Sequence, residues 1–283
     1  MFMKTRKTII FTGGTSGLGK YAVEKLLEKE VELYLLARNE ERFEALQKDL
    51  KCNLNVNCKK LHFIEADLSD FSSILKAVNE IKKNVSKIDL LILNAGLWAF
   101  EPAKSKDGIE LTFQVNVLAN YVLIDELLPL MHEGQNSKVI VTASALHQGT
   151  INFNDIEWSK KPDGFKTYRQ SKLAVITMLK RFARVNTQNN KVVFLSQHPG
   201  VVDTGLSRGA NWFIRLFFRW FGSSLEKGAQ TLLFLTEKNN NELENGGYYA
   251  NKKLKKANPQ VSEDAGQQEK LIELCRKYIA KLV

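Results

Sequence analysis

Cysteine is scarce in this chain of 283 residues, and the three present, Cys52, Cys58 and Cys275, form neither a metal-ligand spacing nor a thioredoxin pair. That usage fits a reducing compartment. No apolar run approaches the roughly 20 residues needed to cross a bilayer. The N-terminal "MFMKTRKTIIFTGG" lacks the long apolar core of a signal peptide, because its few apolar residues run straight into glycines. Nor is there a basic block interleaved with aromatics. The net charge of +10 is spread among acids on polar helix faces, and the densest basic run, "NKKLKKAN" at 251–258, reads as solvated surface, so no nucleic-acid partner is expected. Internal repeats, low-complexity linkers and composition breaks are missing too. What is left is a cytoplasmic globular chain, 44% hydrophobic and 25% charged, long enough to bury a core as one domain over 1–283.

Strand-like apolar runs alternate with amphipathic helical patterns. "KTIIFT" precedes "KYAVEKLLEKE", "VELYLLA" precedes "ERFEALQKDL", and "LHFIEAD" precedes "FSSILKAVNEIKKN"; "IDLLILNAG", "SKVIVTAS" and "NKVVFLSQHPG" follow. Continuous apolar strands between amphipathic helices predict an α/β fold: a single doubly wound domain with a mainly parallel sheet and helices on both faces. In such sheets ligands bind beyond the carboxyl ends of the strands. The residues there are small, polar or glycine: "TGGTSGLG", "ARN", "ADLS", "NAG", "TASALHQG" and "HPGVVDT".

Thr12 to Gly19 reads Thr-Gly-x-x-x-Gly-x-Gly between a strand and a helix. This is the pattern of a Rossmann-type pyrophosphate turn. Gly13 permits the tight turn, Gly17 close backbone approach and Gly19 packing of helix on sheet, with Thr15, Ser16 and Leu18 completing the cofactor-contacting set. An NAD site would place an acid at the end of the second strand. Here Ala37 is followed by Arg38, whose permanent charge suits a 2′-phosphate, so NADP(H) is favoured over NAD(H). Asp67 and Leu68 are placed to meet an adenine, with Asp67 also a candidate cap for a helix beginning near Ser69. Asn94, Ala95 and Gly96 offer a cofactor ribose close access to the backbone.

These motifs continue in order with a serine after the fifth strand, Tyr-x-x-x-Lys and Pro-Gly after the sixth. The chain resembles the short-chain dehydrogenase/reductase family over nearly its whole length. Within it, "TASALHQGTINFNDIEW" and "NGGYYANKK" look like the retinol dehydrogenase and WW-domain oxidoreductase group. The resemblance implies Tyr168 as general acid in reduction and base in oxidation. It makes Lys172 the charge that lowers the phenol's pKa and holds the nicotinamide ribose, and Ser144 the donor to the substrate oxygen. Thr142, two residues deeper on the same side, is the weaker alternative to Ser144. Asn116 matches the family's helix asparagine, whose backbone carbonyl can hold a water leading from Lys172 to solvent; Asn120 is its rival. After the sixth strand Pro199 and Gly200 shape a turn, and Val201 and Thr204 face the carboxamide. His147 and His198 read as structural.

Ser144 and Tyr168 stand 24 residues apart, and "GTINFNDIEWSKKPDGFK" is expected to form a surface loop beside the site. Residues 205–228 correspond to the family's variable substrate lid, and "NWFIRLFFRWFGSS" at 211–224 gives it a broad apolar face through Trp212, Phe213, Leu216, Phe217, Trp220 and Phe221. A subunit contact and shallow docking on a membrane surface are the other readings of this segment. The expected function is NADP(H)-dependent hydride transfer to or from a small lipophilic carbonyl or alcohol of retinoid, steroid or fatty-aldehyde type. The alternative is an NADP(H)-binding sensor or scaffold with incidental turnover. Assembly as a homodimer or homotetramer, and peripheral membrane association, stay open.

Overall fold

Period-two alternation decides which side of the sheet each strand residue faces. Ile10, Leu36, Leu91, Leu93, Val139 and Val141 bury with one group of helices, whereas Ile9, Phe11, Leu33, Leu35, Ile92 and Ile140 bury with another. The structure, a computed structural model, describes residues 6–54, 58–132, 136–186, 192–200 and 224–282. Val201, Thr204 and residues 205–223 of the expected lid lie outside them.

In chain order the elements are β1 (Lys7–Thr12), α1 (Gly17–Leu27), β2 (Val31–Ala37), α2 (Glu40–Leu54), β3 (Leu61–Glu65), α3 (Phe71–Asn84) and β4 (Leu90–Leu93). A short α4 (Leu111–Phe113) runs through a π-helical turn at Gln114–Leu118 into α5 (Ala119–His132), followed by β5 (Ser137–Thr142), α6 (Gly164–Val185) and β6 (Val192–His198). Then come α7 (Leu225–Glu237), β7 (Tyr248–Ala250), β8 (Lys253–Lys255), α8 (Pro259–Ser262) and α9 (Ala265–Ile279).

The strands form one sheet in the order β3-β2-β1-β4-β5-β6-β7-β8. Every neighbouring pair is parallel except β7 with β8. The expected α/β fold is therefore present, and the strand order reverses between β1 and β4. That reversal opens a crevice at the carboxyl ends of these two strands.

Helix α3 illustrates how the sequence sets the layers. Asp70 caps it by accepting from Ser73 N, and Phe71, Ile74, Ala77, Val78 and Ile81 recur at helical spacing as its buried face. Each large apolar side chain so covered contributes roughly 1.5–3 kcal/mol, which outweighs the weak intrinsic preference of a single turn. α3, α5, α6 and α9 cover one face of the sheet; α1, α2 and α7 cover the other. Arg181 and Arg184 of α6 both bind Glu269, pinning α9 along α6.

Candidate active site

The glycine turn and the end of β4 are built into one another. Thr12 accepts from Ala95 N through its buried hydroxyl (3.1 Å), and Asn94 Nδ2 donates to Gly13 O (3.1 Å). Gly13 has φ +71°, and a Cβ there would lie 2.8 Å from Ala95 Cα. At Gly19 the constraint is distance: a Cβ would sit 1.9 Å from Gly13 O. The first turn of α1 therefore begins directly against the β1 turn, with its free N–H groups at the crevice. Ser16, extended and exposed ahead of α1, makes no side-chain cap bond. Thr15 is half-buried beside it. Leu18, in contrast, packs against Ala229 of α7, so only its main chain is free for a ligand. Gly14, not singled out in the sequence, is a packing glycine: a Cβ would be 2.6 Å from Leu35 Cδ1 and 2.7 Å from Val23 Cγ2.

On the other side of the crevice α6 presents Tyr168 and Lys172, one turn apart and both buried. Asp163 caps this helix through Lys166 N (3.0 Å). Lys172 Nζ donates to Thr142 O at the end of β5 (2.9 Å) and lies 5.6 Å from the centroid of the Tyr168 ring. The Ser144 hydroxyl, two residues past β5, faces the phenol of Tyr168 and favours its ionised form. Thr142 is no rival to it: its hydroxyl donates to Asn94 Oδ1 (3.1 Å) and accepts from Gln197 Nε2 (2.9 Å).

Burial acts on the two ionisable groups in opposite directions. It pushes the phenol of Tyr168 above its ordinary value, partly offset by the hydrogen bond from Ser144, and pushes the Lys172 ammonium down to about 8. The ammonium is held on Thr142 O, and desolvation dominates both groups.

Asn116 lies in the π turn, fully buried. Its side chain closes a two-way pair with Leu97, accepting from Leu97 N and donating to Leu97 O (2.9 Å each), and donates to Ser171 Oγ (3.0 Å). Its carbonyl, the expected water holder, accepts from Asn120 Nδ2 (2.7 Å), so the two asparagines act as one unit. A Cβ on Gly96 would lie 3.1 Å from Lys172 Nζ and 3.2 Å from Asn116 Oδ1. Asparagine, lysine and the Asn-Ala-Gly turn meet at that point.

The family model described as short chain dehydrogenase matches residues 7–212. The chain belongs to the short-chain dehydrogenase/reductase family. Human retinol dehydrogenase 13 is 33% identical over 71% of this chain, an alignment that covers 61% of the human protein's own length. The Drosophila melanogaster WW domain-containing oxidoreductase is 31% identical over 98% of this chain and 69% of its own. Among solved structures, an uncharacterized Mycobacterium paratuberculosis protein superposes with a TM-score of 0.76 at 24% identity, covering 97% of this chain and 93% of that one. An Escherichia coli short chain dehydrogenase complexed with NADPH superposes at 0.69 and 19% identity, covering 87% and 97%. At these identities the structures speak for the fold.

The remaining family positions divide by what they touch. Arg38 is exposed just past β2 and forms no ion pair among the described residues. The cap of α3 is Asp70, and Asp67 instead holds the preceding turn: Oδ1 accepts from the amide and hydroxyl of Ser69 (3.0 and 2.7 Å), and Oδ2 faces Lys106 Nζ (3.1 Å). Burial raises the pKa of that carboxyl, but these donors outweigh it and the net shift is downward. Leu68 belongs to the core and is 7% exposed. Gly200 has φ +81°, with no atom of the described residues within 4 Å of a Cβ there, and Pro199 precedes it. His198 is pushed down to about 4 by burial and by the nearby His147 and Lys172, and its buried Nδ1 has no partner among the described residues.

Two features went unread in the sequence. Trp98 stacks on the ring of Tyr168 (centroids 4.7 Å, 11°) and on Phe100 (4.4 Å, 22°), shielding one face of the phenol. No periodicity marks a loop residue of this kind. The segment expected as a surface loop is docked: Gln170 of α6 accepts from Asn152 N (2.8 Å) and donates to Ile156 O (2.8 Å), and Ile151 and Ile156 are buried.

Proposed function

We propose that the chain is an NADP(H)-dependent oxidoreductase that transfers a hydride between the nicotinamide and the carbonyl or alcohol of a lipophilic substrate. The observation that carries it is the convergence of Asn116, Ser144, Tyr168 and Lys172 on the crevice whose floor is the glycine turn. The residues there fit a dinucleotide. Gly13 and Gly19 have no room for a Cβ, a helix of 11 residues opens toward the crevice, and Arg38, beyond β2, forms no ion pair among the described residues, while Ala37 leaves no carboxylate there to repel a phosphate. In this reading Gly13, Thr15, Ser16, Gly17, Gly19 and the main chain of Leu18 hold the pyrophosphate. Arg38 holds the 2′-phosphate, while Asp67 and Leu68 meet the adenine. Asn94, Ala95 and Gly96 lie along the ribose, and Pro199, Gly200, Val201 and Thr204 flank the nicotinamide end.

Bound there, the cofactor supplies or accepts the hydride. Ser144 holds the substrate oxygen, and Tyr168 gives that oxygen its proton in reduction or takes it in oxidation. Lys172 stands behind the phenol, held on Thr142 O, and a water on the Asn116 carbonyl would connect it to solvent so that a proton given up by the phenol can be replaced. Trp98 and Phe100 keep water from the phenol and favour apolar substrates, in line with the names of the retinol dehydrogenase relatives. The NADPH named for the Escherichia coli structure agrees with the cofactor preference. The test is consumption of NADPH and NADH over aldehydes and ketones graded from short and polar to long and apolar. NADPH-selective turnover rising with apolar length is expected. Tyr168→Phe should lower it by about three orders of magnitude while NADPH affinity stays within threefold. Retention of turnover in that variant would refute the reading.

A further inference from the structure

One carbonyl oxygen in the site receives two side-chain donors. Ser144 O accepts from His147 Nδ1 at 2.7 Å and from the Tyr248 hydroxyl at 3.2 Å. A carbonyl cannot donate, so Nδ1 of His147 carries the hydrogen. The two rings meet edge-on with centroids 4.9 Å apart, and both residues are buried, 8% and 4% exposed. They arrive from different parts of the chain. His147 follows β5 in the same loop as Ser144, whereas Tyr248 opens β7, held in place by its register with Ser196 of β6.

A buried imidazole and a buried phenol each need one acceptor, and any nearby carbonyl would satisfy them. Both are aimed instead at the residue whose hydroxyl meets Tyr168. Ser144 Oγ in turn accepts from Leu146 N (3.1 Å). The serine is thus fixed at its carbonyl by two donors and at its hydroxyl by a third.

We propose that His147 and Tyr248 are positioning residues that clamp the Ser144 peptide and so fix the serine hydroxyl where a substrate oxygen is held. This rests on the role proposed for Ser144. The clamp touches neither the glycine turn nor Arg38, so loosening it changes alignment in the reacting complex and not cofactor affinity. Asparagine carries Nδ2 near the position of a histidine Nδ1, and leucine fills similar volume without a donor. The pair of substitutions separates the hydrogen bond from packing.

The experiment is steady-state kinetics of the full chain with NADPH and an apolar aldehyde that the unaltered protein reduces, alongside NADPH fluorescence titration and melting curves. His147→Leu and Tyr248→Phe should each lower kcat on the order of 5- to 50-fold, with the KM for NADPH within about twofold, and His147→Asn should recover most of the loss. Tyr248→Phe removes one oxygen and keeps the core filled, so it carries the test if His147→Leu fails to fold. Unchanged kcat in Tyr248→Phe and His147→Leu, or equal impairment of His147→Asn and His147→Leu, overturns the clamp. Ser144→Ala is measured in parallel. Full activity there overturns the role of Ser144 and the clamp with it, whereas an inactive Ser144→Ala beside fully active clamp variants overturns the clamp alone.

Discussion

Replacing Lys172 with methionine should stabilise the folded chain while abolishing turnover. The ammonium is fully enclosed on α6, and burial brings it from the usual 10.5 to about 8. At about 1.4 kcal/mol per unit, holding that charge in the folded state costs about 3 kcal/mol at pH 7. Methionine fills similar space without the charge, but leaves Thr142 O without the donor it has at 2.9 Å, a loss of about 1 to 2 kcal/mol. The net gain expected at pH 7 is about 1 to 2 kcal/mol. The sign of the pH dependence follows from proton counts. Below about pH 8 both states of the native chain carry the proton and the penalty is constant. Between 8 and 10.5 the unfolded chain binds a proton that the folded chain lacks, so raising the pH stabilises the native protein by up to about 1.4 kcal/mol per unit. The advantage of Lys172→Met should therefore shrink across that window and reverse within it, between about pH 9 and 10. Lys138, also pushed to about 8 by burial, titrates in both proteins and cancels in the difference. Urea unfolding of the cofactor-free proteins at pH 7, 8.5 and 10 measures it. A stability difference that stays flat across these pH values would refute the claim that the folded chain desolvates Lys172.

At Gly19 a methyl would sit 1.9 Å from a backbone oxygen, with no flexible side chain to yield, so Gly19→Ala should weaken NADPH binding at least tenfold in a fluorescence titration. Arg38→Ala removes one charge-assisted contact worth roughly 1.5–3 kcal/mol, which predicts a 10- to 100-fold rise in the KM for NADPH and little change for NADH. Equal losses for both cofactors would show that Arg38 does not read the phosphate.

The sequence pattern was most legible where local signals coincide. β2 (Val31–Ala37) and α3 (Phe71–Asn84) have the limits that "VELYLLA" and "FSSILKAVNEIKKN" predict, because apolar runs there end at a cap or a turn residue. β7 and β8 were not delimited: three residues are too few to show a period, and β7 is placed by its pairing with β6, far along the chain, with β8 pairing in turn on β7. The same division runs through the site. Its motif residues follow strand ends and could be found one by one. The stacking of Trp98 on Tyr168, the docking of the 151–156 segment on Gln170 and the convergence on Ser144 O depend on approach between distant segments.

The opposed effects of burial on Tyr168 and Lys172 change what the Tyr-x-x-x-Lys spacing means. Read as a helical pair, it suggests a cation that turns a phenol into a base. In the folded chain the ammonium bonds to Thr142 O, its own pKa is brought down to about 8, and the phenol is pushed upward with Ser144 alone opposing. A phenol in that state keeps its proton at neutral pH. It is ready to give the proton to a carbonyl oxygen, but must lose it before it can accept one from an alcohol. In the proposed reaction the same phenol gives its proton in reduction and, once deprotonated, takes one in oxidation. Alkaline pH removes the phenol's proton but also discharges the lysine, so it cannot by itself supply both halves of the pair.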